Sequence, residues 1–307
     1  MFIKRNTDHI CHGIFAIKLI LLMNRITLII FSLLIISTAF AQTGGNINLT
    51  KGQKFSVDNK ITAVTTQTLM GQSMESNAEL TTKFSIEVKD IKENNYNLTN
   101  TFTKMKAKIS AMGNDMNFDS DKKEDMTGEY ATSFKDIINN PKAVVINRSG
   151  KVVNKTETKP AGAQPDMMKM MIEQLLGDPD ETGYGTDLAF VSTPSKISLG
   201  YNWTDSSTKE GIERSTTYTV KEIKGNEAVI TISGILNTDA KSQLQGMDIL
   251  NKSKGNLTGQ EIIDIATGVI KEKTTTLESA GMVSVVSQGM EIPMTTKIIF
   301  ISSVKPA

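Results

Sequence analysis

The stretch Gln164 to Gly177 (QPDMMKMMIEQLLG) places Met167, Met168, Met170 and Met171 within five positions. Thioethers are soft ligands suited to Cu(I). Two further pairs, Met70-Gly-Gln-Ser-Met74 and Met112-Gly-Asn-Asp-Met116, share the pattern M-G-x-x-M. Both pairs straddle glycines where hairpin tips are expected. The only thiolate, Cys11, and both histidines, His9 and His12, lie in the first 41 residues, so neither type is left to complete a thioether site in the rest of the chain. Methionine is the usual filler of irregular apolar space. The stretch therefore reads first as core or lid packing, second as contact with a lipid or other apolar ligand, and third as a metal site; no metal and no cofactor is expected.

Other candidate chemistry is weaker. Asp119 to Asp125 (DSDKKED) offers oxygen ligands on a short loop, but Lys123, Glu124 and Tyr130 occupy the fifth, sixth and twelfth positions of an EF-hand loop, where glycine is needed at the sixth. A solvated helix start capped by Ser120 or Asp121 is the plainer reading. Ser120-Asp-Lys-Lys123 matches S-x-x-K without an accompanying K-T-G. Gly183-Tyr-Gly185 lacks the third glycine of a dinucleotide loop. A carboxylate pair acting as acid and base would suit a hydrolase, but the acidic residues are too many for sequence to choose a pair. Trp203, the one tryptophan, suits a strand-opening core position better than a sugar-stacking one.

The methionine stretch needs an element to carry it. Pro165 suits a first helical turn, Asp166 complements the dipole and Gly177 is a natural stop. A helix over 165 to 176 puts Met167, Met168, Met171, Ile172, Leu175 and Leu176 on one face. Full burial of six such side chains is worth roughly 9 to 18 kcal/mol, and ordering about twelve residues costs a similar amount in backbone entropy. That face must therefore be covered, and Met167, Met168, Met171, Ile172 and Leu175 are the candidate apolar ligand-binding residues. A second helix is expected near 124 to 139, where Met126, Tyr130, Phe134, Ile137 and Ile138 recur at helical spacing before Asn139-Asn-Pro141.

Residues 24 to 41 carry Arg25, an apolar run from Ile26 to Ile36, and Ala39 and Ala41 in the A-x-A arrangement of a signal peptide. Residues 1 to 41 therefore read as leader and signal peptide, with Met23 as an alternative start. The apolar pieces between Lys18 and Arg25 and beyond fall short of the ~20 residues a spanning helix needs, so no stable membrane span is expected after cleavage. The leader holds four of the 34 basic residues and one of the 33 acidic ones, leaving a net charge near −2. Such a balance carries no basic footprint for nucleic acid.

The remainder alternates. Phe55, Val57, Ile61 and Ala63 share one face and Ser56, Asp58, Lys60 and Thr62 the other, the period of a half-buried strand. Phe84, Ile86 and Val88, then Tyr96, Leu98 and Phe102, continue it across an Asn-rich turn as a hairpin. Past Lys104 the apolar phase shifts to Met105, Ala107 and Ile109, the mark of a β-bulge. Val88-Lys-Asp-Ile-Lys-Glu-Asn94 matches Val220-Lys-Glu-Ile-Lys-Gly-Asn226 at an offset of 132, and Lys51-Gly-Gln-Lys-Phe55 resembles Leu199-Gly-Tyr-Asn-Trp203 at 148. Two related β halves account for this. Ala143 to Val153 forms a small hairpin around Asn147-Arg-Ser-Gly150, and further strands are expected at Gly259 to Ala266, Val269 to Leu277, Met282 to Ser287 and Thr295 to Val304.

The expected organisation is a leader (1–41), a first β half (42–123), a helical and small-hairpin insert (124–195) and a second β half (196–307). The fold class is mainly β: a duplicated antiparallel meander forming one curved sheet or open barrel, with two helices between the halves packing on the concave face. Phe118-Asp-Ser120, Val145-Ile-Asn-Arg-Ser-Gly-Lys-Val152 and Phe190 to Trp203 (FVSTPSKISLGYNW) resemble an uncharacterised envelope family of Bacteroidota, domain of unknown function 6263. The resemblance implies a compartment and a β-rich fold but no reaction. A looser architectural likeness is to periplasmic lipoprotein carriers. The function expected is an exported, non-catalytic envelope protein, in the periplasm or cell envelope, that binds a lipid or other hydrophobic small molecule between sheet and helices. A structural or protein-interaction module without a ligand is the alternative, and a carboxylate-dependent hydrolase the third.

Overall fold

Strand alternation governs nearly everything in the structure, a computed structural model that describes residues 47–111, 114–128, 131, 138–153, 182–183, 185–193, 197–244 and 247–307. Its strands are β1 (Lys54–Leu69), β2 (Gln72–Lys92), β3 (Asn95–Ala111), β4 (Asn114–Asp119), β5 (Lys142–Asn147), β6 (Asn202–Lys209), β7 (Ile212–Lys224), β8 (Glu227–Leu244), β9 (Met247–Asp264), β10 (Ile270–Val285) and β11 (Met290–Pro306). They form one open antiparallel sheet in the order β4-β3-β2-β1-β11-β10-β9-β8-β7-β6, with β5 also pairing β3. Strand β5 takes Asn95–Asn100 of β3 and β4 takes Lys106–Ala111, so these two short strands share one edge. The other edge is β6.

Turns and bulges explain the register. Met70-Gly71 and Glu210-Gly211 both have positive φ at their two positions (52° and 80°, 49° and 79°), the two-residue turn that suits the twist of a hairpin. Pairing of β2 with β3 slips between Lys83 and Phe84, leaving Thr103 as the extra residue beside Lys104, where the apolar phase shifts in the sequence. The VKDIKEN and VKEIKGN segments adopt the same geometry. Each crosses a two-residue turn, and the register slips after Val88 in one and after Val220 in the other. Gly52 N–H donates to Val88 O and Val88 N–H to Gln53 O, as Gly200 N–H donates to Val220 O and Val220 N–H to Tyr201 O. Leu49 and Ile197, each three residues before those glycines, are both buried.

Several expectations need correction. Among the described residues neither of the two helices is an element: the elements there are strands plus two single 3-10 turns. Of the span 124 to 139, residues 129–130 and 132–137, with Tyr130, Phe134 and Ile137, lie outside the described residues; Lys122 to Thr127 makes consecutive turns, and Ile138 forms a parallel bridge with Phe102. The Thr127 hydroxyl bonds back to the carbonyls of Lys123 and Glu124, and Gly128 follows; both features weaken a helix against local alternatives. Ser120 does not cap it: its Oγ accepts from Met105 N–H at 2.9 Å. The region expected as a helix over 165 to 176, with Met167, Met168, Met171, Ile172 and Leu175, lies outside the described residues, as does the leader. Met282 to Ser287 is no separate strand: Met282 to Val285 closes β10, and strands of 16 to 18 residues run where shorter ones are expected, because serine, threonine and glycine sustain pairing without an apolar signature. Among the described residues no helix is long and apolar enough to cross a membrane, a statement that does not touch strands.

The sheet has two unlike faces. One carries ion pairs in water, such as Lys60–Glu79 at 3.1 Å and Lys297–Glu278 at 2.8 Å. The other buries Phe55, Val57, Ile61, Leu80, Phe84, Ile86, Val88, Tyr96 and Leu98 in a first cluster. A second holds Trp203, Val220, Ala228, Ile230, Ile263 and Ile270. Both clusters occupy the end of the strands near the β2–β3 and β7–β8 turns. There they are covered by the segment ending at Thr50 and by a strap around 185–193. Tyr96 Oη donates to Ile47 O at 2.6 Å, and Asn48 N–H to Thr267 O at 3.0 Å. The strap is pinned by Val191 N–H to Gly268 O, Ile270 N–H to Ala189 O, and Trp203 Nε1 to Ser192 O, all near 3.0 Å. Phe190 of the strap meets Phe55 edge-on at 5.6 Å.

Candidate functional site

Residues directly opposite in neighbouring strands share a face, so the pairing reads off as rows running across the inner face. One row is Met105, Thr82, Asn59, Ser302, Lys273, Glu261, Ile230 and Val220, from β3 to β7 through β2, β1, β11, β10, β9 and β8. The next, away from the core, is Leu80, Ile61, Phe300, Thr275, Gly259, Ile232, Tyr218 and Trp203. Beyond it come Ala63, Ile298, Leu277, Leu257, Gly234, Thr216 and Asp205. The inner face thus passes from closed core, through one polar row, to an aliphatic floor.

Over that floor, beside the strap, opens a cleft of about 700 Å³. Its apolar lining includes Leu188 of the strap and Ile232, Leu257, Leu277, Ile298 and Phe300 of the sheet. Glycines shape it: Gly259 and Gly234 lie in the two aliphatic rows and contribute no side chain. At Gly259 the neighbouring strand is so close that a Cβ would stand 2.3 Å from Thr274 O.

The inner end of the cleft is charged. Glu261 is 2% exposed, and Lys273 Nζ lies 3.2 Å from its Oε2. That contact is an ion pair, and beyond it Oε2 has no hydrogen-bond partner among the described residues. Burial opposes charge on Lys273, yet Glu261, then Tyr218 and Asp187, hold its pKa above the ordinary lysine value. Asp187, in the strap's 3-10 turn Thr186–Leu188, is half-buried as a residue, but its Oδ1 is out of water and without a hydrogen-bond partner among the described residues. Burial pushes its carboxyl up to about 6 against the opposing pull of Lys273 and Arg214. Burial also raises the Tyr218 phenol. At the mouth, Arg214 is exposed, and Lys151 pairs with Asp205 at 3.6 Å.

The residues singled out from sequence stand elsewhere. Met70 is an exposed turn residue, Met74 lies in β2 and Met116 is core. The Asp119 segment is closed on itself: Asp119 pairs with Lys106 at 2.7 Å, its N–H donates to Asp125 Oδ2, and Asp121 pairs with Lys104. Among the described residues no cluster of histidine, cysteine or carboxylates is arranged to hold a metal. Trp203 is sandwiched between Tyr201 (5.7 Å) and Tyr218 (5.0 Å), which makes it part of the wall behind the cleft. Sequence reasoning missed Glu261, Lys273 and Asp187. A signal exists for the first: in Leu257, Gly259, Glu261, Ile263 the glutamate keeps the inward phase of an otherwise apolar strand face.

No protein of curated function matches the sequence. Among solved structures, lipovitellin, described for its lipid–protein interactions, aligns at 13% identity and TM-score 0.47, over 85% of this chain. This chain spans only 26% of that one. An outer-membrane channel from Pseudomonas putida F1 aligns at 8% identity over 85% of this chain and 98% of its own, TM-score 0.23. Salmonella typhi OmpF bound to daunomycin aligns at 6% identity, 83% and 98% coverage and TM-score 0.22. A family model matches residues 93–270, from the β2–β3 turn to the start of β10, and so takes in β5, the strap and the Glu261 side of the cleft. The chain belongs to that family, a family of unknown function (DUF6263).

Proposed function

We propose that this is a non-catalytic protein of the cell envelope that binds an amphipathic, largely aliphatic molecule on the inner face of its sheet. The observation that carries the reading is the cleft: about 700 Å³ of open space against a floor that carries Ile232, Leu257, Leu277, Ile298 and Phe300, in a protein whose opposite sheet face is charged. A cleft of this volume is within the range of small-molecule sites. A floor of that kind left to water is costly, at about 25 cal/mol per Å² of apolar surface. The leader pattern at residues 24 to 41 supports export.

The test is direct. Protein purified from its own envelope is analysed by native mass spectrometry and organic extraction, and the delipidated protein is titrated with long-chain amphiphiles while the emission of Trp203, the one tryptophan, is followed. Co-purifying lipid and a saturable change in emission are expected. Leu277→Glu, which puts a charge on the floor, should abolish both while leaving the far-UV circular dichroism unchanged. A clean apo mass with no uptake by the wild type removes the reading and favours an interaction module. One observation favours a second reading, a hydrolase: a carboxyl held near pH 6, as Asp187 is, suits a general acid. Turnover in a broad hydrolase screen that disappears in Asp187→Asn would establish it.

A further inference from the structure

The polar row at the cleft's inner end has a chemistry that selects among amphiphiles. One carboxyl oxygen there, Asp187 Oδ1, has no donor among the described residues, and Glu261 Oε2 has only the Lys273 ammonium 3.2 Å away; both residues line the cleft. Lys273 is already engaged by Glu261. A further cation of the cleft's lining, Arg214, without an ion pair among the described residues, stands exposed on the mouth side, two rows beyond Tyr218 and opposite Leu236 and Ser207. A carboxylate or phosphate pushed to the inner end would face two carboxyl oxygens in a poorly hydrated place, where like charges repel strongly and an unsatisfied acceptor is costly.

We propose that the cleft, on the ligand-binding reading above, takes its molecule head first and selects an uncharged, hydroxyl-bearing head, whose O–H groups donate to Glu261 and Asp187 while the acyl chain lies over Ile232, Leu257, Leu277 and Phe300. A monoacylglycerol or a long-chain alcohol has this chemistry and a fatty acid does not. The same row continues past Lys273 with Ser302 and Asn59, each about 2% exposed and each with an oxygen lacking a partner among the described residues.

The experiment compares monooleoylglycerol with oleate, identical in chain and different only in head, on the delipidated full-length protein at neutral pH and below the micellar concentration. Wild type should bind the glyceride at least about tenfold more tightly, the worth of one charge-assisted hydrogen bond gained or refused. The paired variant Glu261→Leu with Lys273→Leu removes both buried charges together and should bind the two molecules alike. Asp187→Asn, which adds an amide donor on the strap, should admit oleate and narrow the preference. Urea midpoints establish that each variant is folded, and should the paired variant fail to fold, Asp187→Asn decides. Equal binding of both molecules by the wild type, tighter binding of oleate, or a preference that survives in the folded variants overturns the head-group assignment and leaves the cleft as a lipid site. Binding of neither molecule overturns both.

Discussion

Replacing Lys273 by methionine isolates the energetics of the buried pair. The substitution keeps most of the stem's volume and removes the ammonium 3.2 Å from a glutamate that is 2% exposed. Stranding one partner of a buried pair costs about 3–5 kcal/mol. The Lys273 side chain retains 17% of its exposure, so water reaches one end and the lower part of that range applies, about 3 kcal/mol. The comparison is Lys60→Met on the outer face, where the pair with Glu79 is as short, 3.1 Å, but about half-exposed on both sides. That substitution should cost only ~0.2–1 kcal/mol. Urea unfolding followed by Trp203 emission and by far-UV circular dichroism measures both, with coincident transitions as the test of two-state behaviour. The combined Glu261→Leu and Lys273→Leu variant should return to within about 1 kcal/mol of wild type, because an apolar pair carries no desolvation penalty. If Lys273→Met costs no more than Lys60→Met, or if the double variant is as unstable as the single one, Glu261 is reached by water and the polar row is not buried.

Three further outcomes follow from particular residues. Glu93 holds φ at 53° where the matching turn of the second half has Gly225 at 58°, so Glu93→Gly should raise stability by about 1 kcal/mol in the same urea assay. Gly259→Ala should lower it by about 1–3 kcal/mol, since the new methyl would press on the Thr274 carbonyl of the next strand. Asp187 titrates near 6 when folded against an ordinary 3.8, in the company of Lys273 and Glu261 from β10 and β9, Tyr218 and Arg214 from β7, and Asp205 from β6. Between those values the folded protein holds a proton that the unfolded chain has lost, so this residue's contribution falls as pH rises from about 4 to about 7 and is level above. Two pH units at ~1.4 kcal/mol each bound the loss at ~3 kcal/mol. Asp187→Asn should flatten the stability profile in that window; a profile with the wild-type slope would mean that the carboxyl is hydrated.

Local pattern was enough for local geometry. The shift of apolar phase at Lys104 located the bulge at Thr103, and the likeness of VKDIKEN to VKEIKGN corresponds to two turns with the same slip of register. These features depend on a few adjacent residues, whose side chains and turn propensities act at short range. In the described part of the helix expected over 124 to 139, residues up to Thr127 form turns, and Met126 and Ile138 are apolar for separate reasons, one packing beside the core and the other bridging β3.

By itself the sequence determined that the chain is β-rich, which strand faces turn inward, and that few histidines or thiols are present for chemistry, since composition and a period of two suffice for each. The site was decided only by tertiary structure. Glu261 and Lys273 are 12 residues apart and Asp187 is more than 70 residues from either. They meet because β9 and β10 pair in one register and because the strap, pinned to Gly268, Ile270 and Trp203, lays its short turn across them. A carboxyl's environment depends on what excludes water from it, and here that is supplied by segments distant along the chain.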